Sequence, residues 1–259
     1  MNFYWIYELA NWQFAVICVG SFVTFALMGL FLTKNFIQRN AMEDHNELLS
    51  AFMSGLGALY GITLGLIAVA AWENFDKIGD IVSSEAAVVI SVYNDFRRLP
   101  EPYRGTLTTQ LKSYVKHTID EAWPAQQKGK VNKEGLSRLQ NTYRTLLSFE
   151  PTNASQEILL DGATKNTNQL ITLLESRMEK VEDGLPSAVW YVIIFGAILN
   201  ISVTWLFHAE KRKVYTICVA LYAALLGSLI FLVAAMDNPF RGEFSVSPDA
   251  FVAILQYMK

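Results

Sequence analysis

Four long apolar runs without a charged residue constrain the fold of this chain more than any other feature. They occupy residues 12–33, 51–72, 187–207 and 214–236. A helix needs about 20 apolar residues to cross the hydrocarbon core of a bilayer. The sequence therefore predicts an all-α membrane protein with four transmembrane helices. Residues 1–11 contain no Lys or Arg, so the first run is predicted to be a retained span and not a cleaved signal peptide.

The polar stretch between the second and third runs predicts a helical domain outside the membrane. Its apolar residues keep a helical spacing from the second run as far as Pro100, which predicts one continuous helix for span and stalk. The expected organisation has four parts: 1–72 with the N-terminal tail and spans 1 and 2, 73–186 with the helical insert, 187–236 with spans 3 and 4, and 237–259 with a turn and a short amphipathic helix.

Prolines and a capping residue divide the rest of the insert into three further helices. Pro102 is expected to open the first of them and Pro124 to close it. The next is expected at about 133–149. Asn153 is a candidate N-cap for the last, which should reach about Asp183.

Composition narrows the possible functions. A net charge of −3 gives no basic surface for phosphates, so nucleic acid is not an expected partner. Cys18 and Cys218 lie inside apolar runs, and His45, His117 and His208 are scattered, so neither a disulfide framework nor a metal site is indicated. Phosphate-binding loops and nucleophile motifs are missing. We therefore expect no catalytic residue, no cofactor and no enzyme activity.

The distribution of basic residues predicts the orientation in the plasma membrane. Loops 34–50 and 208–213 carry Lys34, Arg39, Lys211, Arg212 and Lys213, whereas the tails carry only Arg241 and Lys259. Cytoplasmic loops hold the excess of Lys and Arg. Both loops are therefore expected to be cytoplasmic, with the N-terminus, the C-terminus and the helical insert outside.

The second span carries a stripe of small residues. Ser54, Gly57, Gly61 and Gly65 fall on one face of a helix, the small-xxx-small pattern that lets helix backbones approach closely in lipid. Two interpretations remain open. The stripe either packs against another span of the same chain or packs against other copies around an axis, leaving bare backbone towards a pore.

Three carboxylates follow this span. Glu73, Asp76 and Asp80 are spaced i, i+3 and i+7, so they share one side of the emerging helix. In a symmetric oligomer they would form acidic rings, which attract and select cations at a pore mouth. The alternative is an ordinary solvated surface. Asp76 is the strongest candidate of the three because it lies nearest to the glycine stripe.

The spans themselves contain no Asp, Glu, Lys, Arg or His. Proton relays, voltage sensors and charge-coupled transporters need such groups at membrane depth, so the sequence argues against these classes. The polar residue Asn200 lies in the middle of the third span, where a hydrogen bond to a neighbouring helix is the expected role.

A compact turn is predicted after the fourth span, around Pro239 and Gly242. It carries three charged residues, Asp237, Arg241 and Glu243. Ser247 and Pro248 then begin a short amphipathic helix. This helix is expected to dock on the insert or on the membrane surface, and a lid over the outer pore mouth is the alternative role.

Six short motifs give the chain a family resemblance. They are His45-Asn46-Glu47 before the glycine-rich span, Trp72-Glu73 at its end, Glu85-Ala86, Leu99-Pro100-Glu101-Pro102, Glu121-Ala122-Trp123-Pro124, and Asp237-x-Pro239-Phe240-Arg241-Gly242 with Val246-Ser247-Pro248. In this order they resemble the four-span bacterial membrane proteins called bestrophin-like, over essentially the whole chain. The resemblance implies the same architecture and, through the family label, an ion channel in the bacterial inner membrane.

Bestrophins themselves are pentameric anion channels whose helical domain, between the second and third spans, lies in the cytosol. Their pore neck does not match this sequence residue by residue, so the resemblance does not carry anion selectivity over. The charge count places the insert outside, and the acidic residues at the expected mouth favour cations.

The leading hypothesis is a homo-oligomeric ion channel that conducts cations. Its pore would be lined by the second span, with Glu73, Asp76 and Asp80 as the outer vestibule. The expected partners are the lipid bilayer, copies of the same chain and inorganic ions. The rival hypothesis is a non-conducting scaffold or sensor, whose insert binds an envelope component and whose glycine face only packs the spans.

Overall fold

The structure of the protein, a computed structural model, describes residues 4–33, 44–181 and 184–258. These residues form helices and no β-strand. After a short 3₁₀ helix at Tyr4–Glu8, the helices are α1 Asn11–Thr33, α2 Asp44–Arg98, α3 Tyr103–His117, a π-turn at Thr118–Ala122, α4 Trp123–Gln127, α5 Glu134–Leu147, α6 Ala154–Glu179, α7 Ser187–Thr204, α8 Arg212–Met236 and α9 Asp249–Tyr257.

Four of these helices are long and apolar enough to cross a membrane. They are α1, α7, α8 and the apolar part of α2. The predicted fold class, an all-α membrane protein with four spans and a helical insert, is confirmed. Residues 34–43 of the predicted loop 34–50 lie outside the described part of the chain, as do Asp183 and Lys259. Residues 44–50 of this loop are helical and form the beginning of α2, so α2 begins earlier than predicted.

Helix α2 is a single element of 55 residues, Asp44–Arg98. At a rise of 1.5 Å per residue it is about 80 Å long. Its sequence contains no proline, and it ends just before Leu99 and Pro100, because a proline disfavours the helical conformation of the residue before it. The predicted continuity of span and stalk is confirmed.

The chain divides into two compact units, to both of which α2 contributes. The first, here called the membrane unit, comprises Met1–Asn74, Gly184–Asp237 and Gly242–Phe244. The second, here called the insert unit, comprises Phe75–Asp183, Asn238–Arg241 and Ser245–Lys259.

Close packing in the membrane unit depends on glycines. At Gly227 of α8, a Cβ would lie 2.9 Å from the Cα of Val19, so α1 and α8 approach each other closely at this point. At Gly29 of α1, a Cβ would lie 2.0 Å from the Trp205 ring. The indole Nε1 of Trp205 donates a hydrogen bond to the Ala26 carbonyl, 3.0 Å away. The ring therefore fills the space that the missing side chain leaves.

The C-terminal helix α9 packs into the core of the insert unit. Its apolar residues Phe251, Ile254 and Met258 are buried and join the cluster formed by α2, α3, α5 and α6. The side chain of Asn153 accepts a hydrogen bond from the Gln156 amide, 3.0 Å away, and caps α6. The predicted docking of α9 on the insert and the predicted cap are both confirmed.

The prediction that Pro124 closes a helix is wrong. The helical path continues from α3 through the π-turn at Thr118–Ala122 into α4, whose first turn contains Pro124. The Trp123 amide donates to the Thr118 carbonyl, five residues back. A proline lacks an amide hydrogen and its ring collides with the carbonyl four residues back, so the wider turn accommodates it. Helix α6 also ends earlier than predicted, at Glu179.

An ion pair lies at the centre of the insert unit. Glu85 of α2 and Arg177 of α6 have side chains that are 0% exposed, and Arg177 Nε lies 2.6 Å from Glu85 Oε2. Arg177 also donates from Nη2 to Glu85 Oε1 at 3.2 Å and from Nη1 to Gln126 Oε1 at 2.7 Å. The hydroxyl of Tyr114 on α3 donates to Glu85. The pair therefore connects α2, α3, α4 and α6.

Aromatic rings and compensating charges stabilise this buried guanidinium. Arg177 Cζ lies 5.3 Å from the centre of the Trp123 ring and 5.7 Å from that of Phe251, within the range of a cation–π interaction. Burial, the largest single effect, lowers the pKa of Arg177, but the Glu85 carboxylate and Tyr114 together raise this pKa by more, so the net shift is upwards. Arg177 therefore stays charged inside the core.

Replacing Arg177 by Met tests how strongly the insert depends on this pair. The change leaves the Glu85 carboxylate buried without its cation, which costs about 3–5 kcal/mol. We expect a lower thermal unfolding midpoint for the purified protein in detergent. Lys165→Gln, which breaks the exposed pair between Lys165 and Asp161, is the control and should leave the midpoint unchanged. An equally small shift for Arg177→Met would contradict the structural role assigned to the pair.

Candidate functional site

The small-residue stripe on α2 is largely uncovered. Ser54, Gly61 and Gly65 are exposed, and Gly57 is half-buried. No described atom lies within 4 Å of a Cβ placed at Gly61 or Gly65, while one at Gly57 would lie 3.9 Å from the Asn200 side chain. Within the described chain, Gly61 and Gly65 therefore do not pack against another span, and intrachain packing does not account for this part of the stripe.

A neighbouring face of α2 is the one that packs within the chain. Tyr60, Leu64 and Ala71 are buried. The Tyr60 hydroxyl donates to the Ile193 carbonyl at 2.7 Å, and its ring lies 2.3 Å from where a Cβ of Gly196 would be. Tyr60 thus fixes α2 on α7. Gly61 and Gly65 each follow a buried residue, Tyr60 or Leu64, by one position, which turns them about 100° away from this contact.

Asn200 of α7 connects this helix to α8. Its side chain is fully buried and donates from Nδ2 to the Gly196 carbonyl at 2.9 Å. Its Oδ1 accepts a hydrogen bond of 2.9 Å from the Tyr222 hydroxyl of α8. The expected hydrogen bond between Asn200 and a neighbouring helix is confirmed.

The three carboxylates after the second span remain open to solvent. Glu73, Asp76 and Asp80 are exposed on α2, and Lys77 between them is exposed as well. Among the described residues, none of the three acids forms a salt bridge. Because no cation of the described chain neutralises them at close range, they can act together on ions in solution.

The predicted C-terminal turn holds backbone segments in both units. In the membrane unit, Asp237 accepts hydrogen bonds from the Leu185 amide and, at 3.1 Å, from the indole Nε1 of Trp190. Burial raises the pKa of the Asp237 carboxyl above its ordinary value, although these two hydrogen bonds lower it. Glu243 accepts from the Asn11 amide at 2.9 Å. A carboxylate there is favourable because Asn11 begins α1.

Arg241, from the same turn, makes its contact within the insert unit. Its Nη2 donates to the Lys128 carbonyl at 3.2 Å. The guanidinium occupies the space beside Gly129, where a Cβ would lie 1.5 Å from it. Gly129 has φ of +67° and Gly242 has φ of +80°, a conformation that favours glycine. Asp237, Arg241 and Glu243 thus each stabilise a chain segment.

Sequence reasoning missed several residues that position these groups. Asn46 donates to the His208 carbonyl at 2.8 Å and accepts from the His208 amide at 3.0 Å, which joins the start of α2 to the segment between α7 and α8. The available sequence signal for Asn46 was its place in the motif His45-Asn46-Glu47. The fit between Tyr60 and Gly196 left no signal, because the two residues are far apart in sequence and ordinary in type.

Comparisons with known proteins agree with this architecture. The model of the bestrophin-like domain matches residues 20–251. Three crystal structures of a bacterial bestrophin homologue from Klebsiella pneumoniae are similar. Two single-residue variants give TM-scores of 0.69 and 0.70 at 11% identity, covering 94% of this chain and 98% and 97% of theirs. A structure phased on zinc gives 0.68 at 12% identity, covering 94% and 96%. No curated protein sequence matches the chain.

Replacing Gly196 by Ala tests the contact that orients α2. The added methyl group collides with the Tyr60 ring, and such overpacking costs about 1–3 kcal/mol. We expect a lower thermal unfolding midpoint in detergent. Gly20→Ala is the matched control, because no described atom lies within 4 Å of a Cβ at Gly20. Equal midpoints for the two variants would show that α2 is not held by this contact.

Proposed function

We propose that this chain, which belongs to the bestrophin-like family, works as a homo-oligomeric ion channel that conducts cations. Bestrophin homologues are oligomeric ion channels, and the family is of the channel type and not enzymatic. The observation that carries the finer proposal is the uncovered glycine face of α2, continued by carboxylates that lack a cationic partner in the described chain.

The glycine face supports a pore built from several copies. Ser54, Gly61 and Gly65 are exposed while the other edge of α2 packs on α7. Small residues let helix backbones approach closely in lipid. Copies of α2 arranged around an axis would therefore cover the stripe partly with each other and present the remaining backbone and the Ser54 hydroxyl to the ion path. Within the described chain, no neighbouring helix contacts Gly61 or Gly65 and explains why these positions carry glycine.

The carboxylates support a vestibule that favours cations. Asp76 follows Gly65 by 11 residues, which is about three helical turns, so it continues nearly the same line along α2. Glu73 and Asp80 lie on the same side of the helix. In an oligomer these residues repeat as rings, and rings of Asp or Glu concentrate and select cations. The basic loops 34–50 and 208–213 favour an orientation with this vestibule, the insert and both termini outside.

Replacing Gly61 by Leu tests whether the stripe lies between subunits. A leucine side chain keeps backbones apart where a glycine lets them touch. We expect the oligomer to dissociate or lose subunits, measured by native mass spectrometry of protein extracted in mild detergent.

Gly20→Leu is the control for this experiment, since Gly20 is an exposed glycine of another span, α1, with open space around it. It should leave the mass of the assembly unchanged. If the wild type is an oligomer and Gly61→Leu leaves the mass of the assembly unchanged, the stripe does not lie in the contact between subunits.

Replacing Asp76 by Asn tests the vestibule. In a planar bilayer with a tenfold KCl gradient, a fully cation-selective channel reverses at the potassium limit, about 59 mV from zero. We expect the wild type to reverse on the potassium side and Asp76→Asn to move towards zero, because one charge per subunit leaves the ring.

Asp161→Asn removes an exposed carboxylate from α6 and should leave the reversal potential unchanged. Reversal of the wild type near the chloride limit would overturn the cation assignment. A folded oligomer that passes no current would favour the rival function, a membrane scaffold or sensor that binds an envelope component through its insert.

A further inference from the structure

One buried histidine of the insert unit lacks any hydrogen-bond partner. His117, the last residue of α3, is 3% exposed. Among the described residues, neither its Nδ1 nor its Nε2 has a partner. Buried polar side chains are nearly always hydrogen-bonded, and each exception needs an explanation, such as strain, a water molecule or an ion. The ring of His117 can therefore act as a ligand for an ion.

Two carboxylates approach this imidazole from different helices. Glu121 lies in the π-turn that follows α3, and its Oε2 is 3.4 Å from His117 Nδ1. Glu134 is the first residue of α5. One ligand atom from each of the three residues can be chosen so that all lie within 4.8 Å of one another. The cluster thus joins the end of α3 to the start of α5, across the loop that separates α4 from α5.

We propose that His117, Glu121 and Glu134 bind a divalent transition-metal ion, with Zn²⁺ as the preferred ion. One imidazole with two carboxylates supplies three protein ligands, and water can complete a tetrahedral set. An imidazole favours Zn²⁺ and related ions over Mg²⁺ and Ca²⁺, which prefer oxygen alone. The site does not rest on the channel proposal.

To bind Zn²⁺, the three ligand atoms need to move only slightly closer to one another. Tetrahedral ligands about 2.0–2.2 Å from Zn²⁺ lie roughly 3.4 Å from one another. The side chains of Glu121 and Glu134 are 58% and 50% exposed, so rotation about their own bonds can bring the carboxylates in. The same exposure gives the ion a path from solvent to the buried imidazole.

A neighbouring arginine holds one oxygen of one of the carboxylates. Arg138 donates from Nε and Nη2 to Glu134 Oε1 at 3.1 and 2.6 Å. Both bonds use Oε1, so Oε2 is the oxygen offered to the ion. The ion can therefore bind Glu134 without displacing Arg138.

The test is zinc titration of the full-length protein in detergent after treatment with a chelator. Calorimetry should detect one saturable Zn²⁺ site per chain, and Co²⁺ at the same site should give the visible absorption of a tetrahedral complex with a nitrogen ligand. Glu121→Gln should weaken Zn²⁺ binding by at least about tenfold. Loss of a residue that only hydrogen-bonds to a metal ligand already costs about 10–100-fold in affinity.

Glu157→Gln is the matched control, since Glu157 is an exposed glutamate in the first turn of α6 and should leave the affinity unchanged. Glu134→Gln provides a second test, and neither Glu121 nor Glu134 is buried, so both variants are expected to fold. Absence of saturable binding would overturn the proposal. Binding that Glu121→Gln and Glu134→Gln leave unchanged would overturn it equally, and would leave His117 and Glu121 as a simple ion pair.

Discussion

The uninterrupted course of α2 is the constraint on which the rest of the structure depends. The same helix provides Tyr60 to the core of the membrane unit and Glu85 to the core of the insert unit. The rotational setting of any residue along a continuous helix is fixed by every other residue of that helix. The contact of Tyr60 with Gly196 therefore also sets the direction in which Gly61 and Gly65 face, so the packing of the membrane unit and the proposed pore face depend on the same contact.

The exposed glycine face has a simple energetic meaning. Its backbone polar groups are already satisfied within the helix, so lipid imposes no penalty for unpaired hydrogen bonds. A face without side chains nevertheless makes few van der Waals contacts with mobile lipid tails, whereas a second helix can approach it closely along several turns. This difference favours association of α2 with another helix. Within the described chain, α7 contacts α2 through Tyr60 and leaves Gly61 and Gly65 free for such an approach.

The sequence predicted those features that arise from local patterns. Charge-free runs indicated the four spans, helical spacing indicated that α2 continues from the second span to the residues before Pro100, and Asn153 indicated the start of α6. Features that depend on distant partners were not predictable. Glu85 and Arg177 are 92 residues apart, and neither residue type indicates a buried pair. Pro124 indicated a helix end because the widening at Thr118–Ala122 has no simple sequence signature. His117 and Glu134 meet only because α5 returns to the end of α3.

In the candidate site, too, local spacing was predictable and contacts with distant residues were not. Spacing alone placed Ser54, Gly57, Gly61 and Gly65 on one face, and Glu73, Asp76 and Asp80 on one side of the helix. The exposure of Gly61 and Gly65 depends on the packing of Tyr60 on α7, which spacing does not encode. The packing of glycines against aromatic rings has an evolutionary consequence. The Tyr60 ring occupies the space that a side chain at Gly196 would need, and the Trp205 ring does the same at Gly29. Neither member of a pair can enlarge alone, so such positions are expected to change together through lineages, and coordinated variation would record helix contacts that single-position conservation conceals.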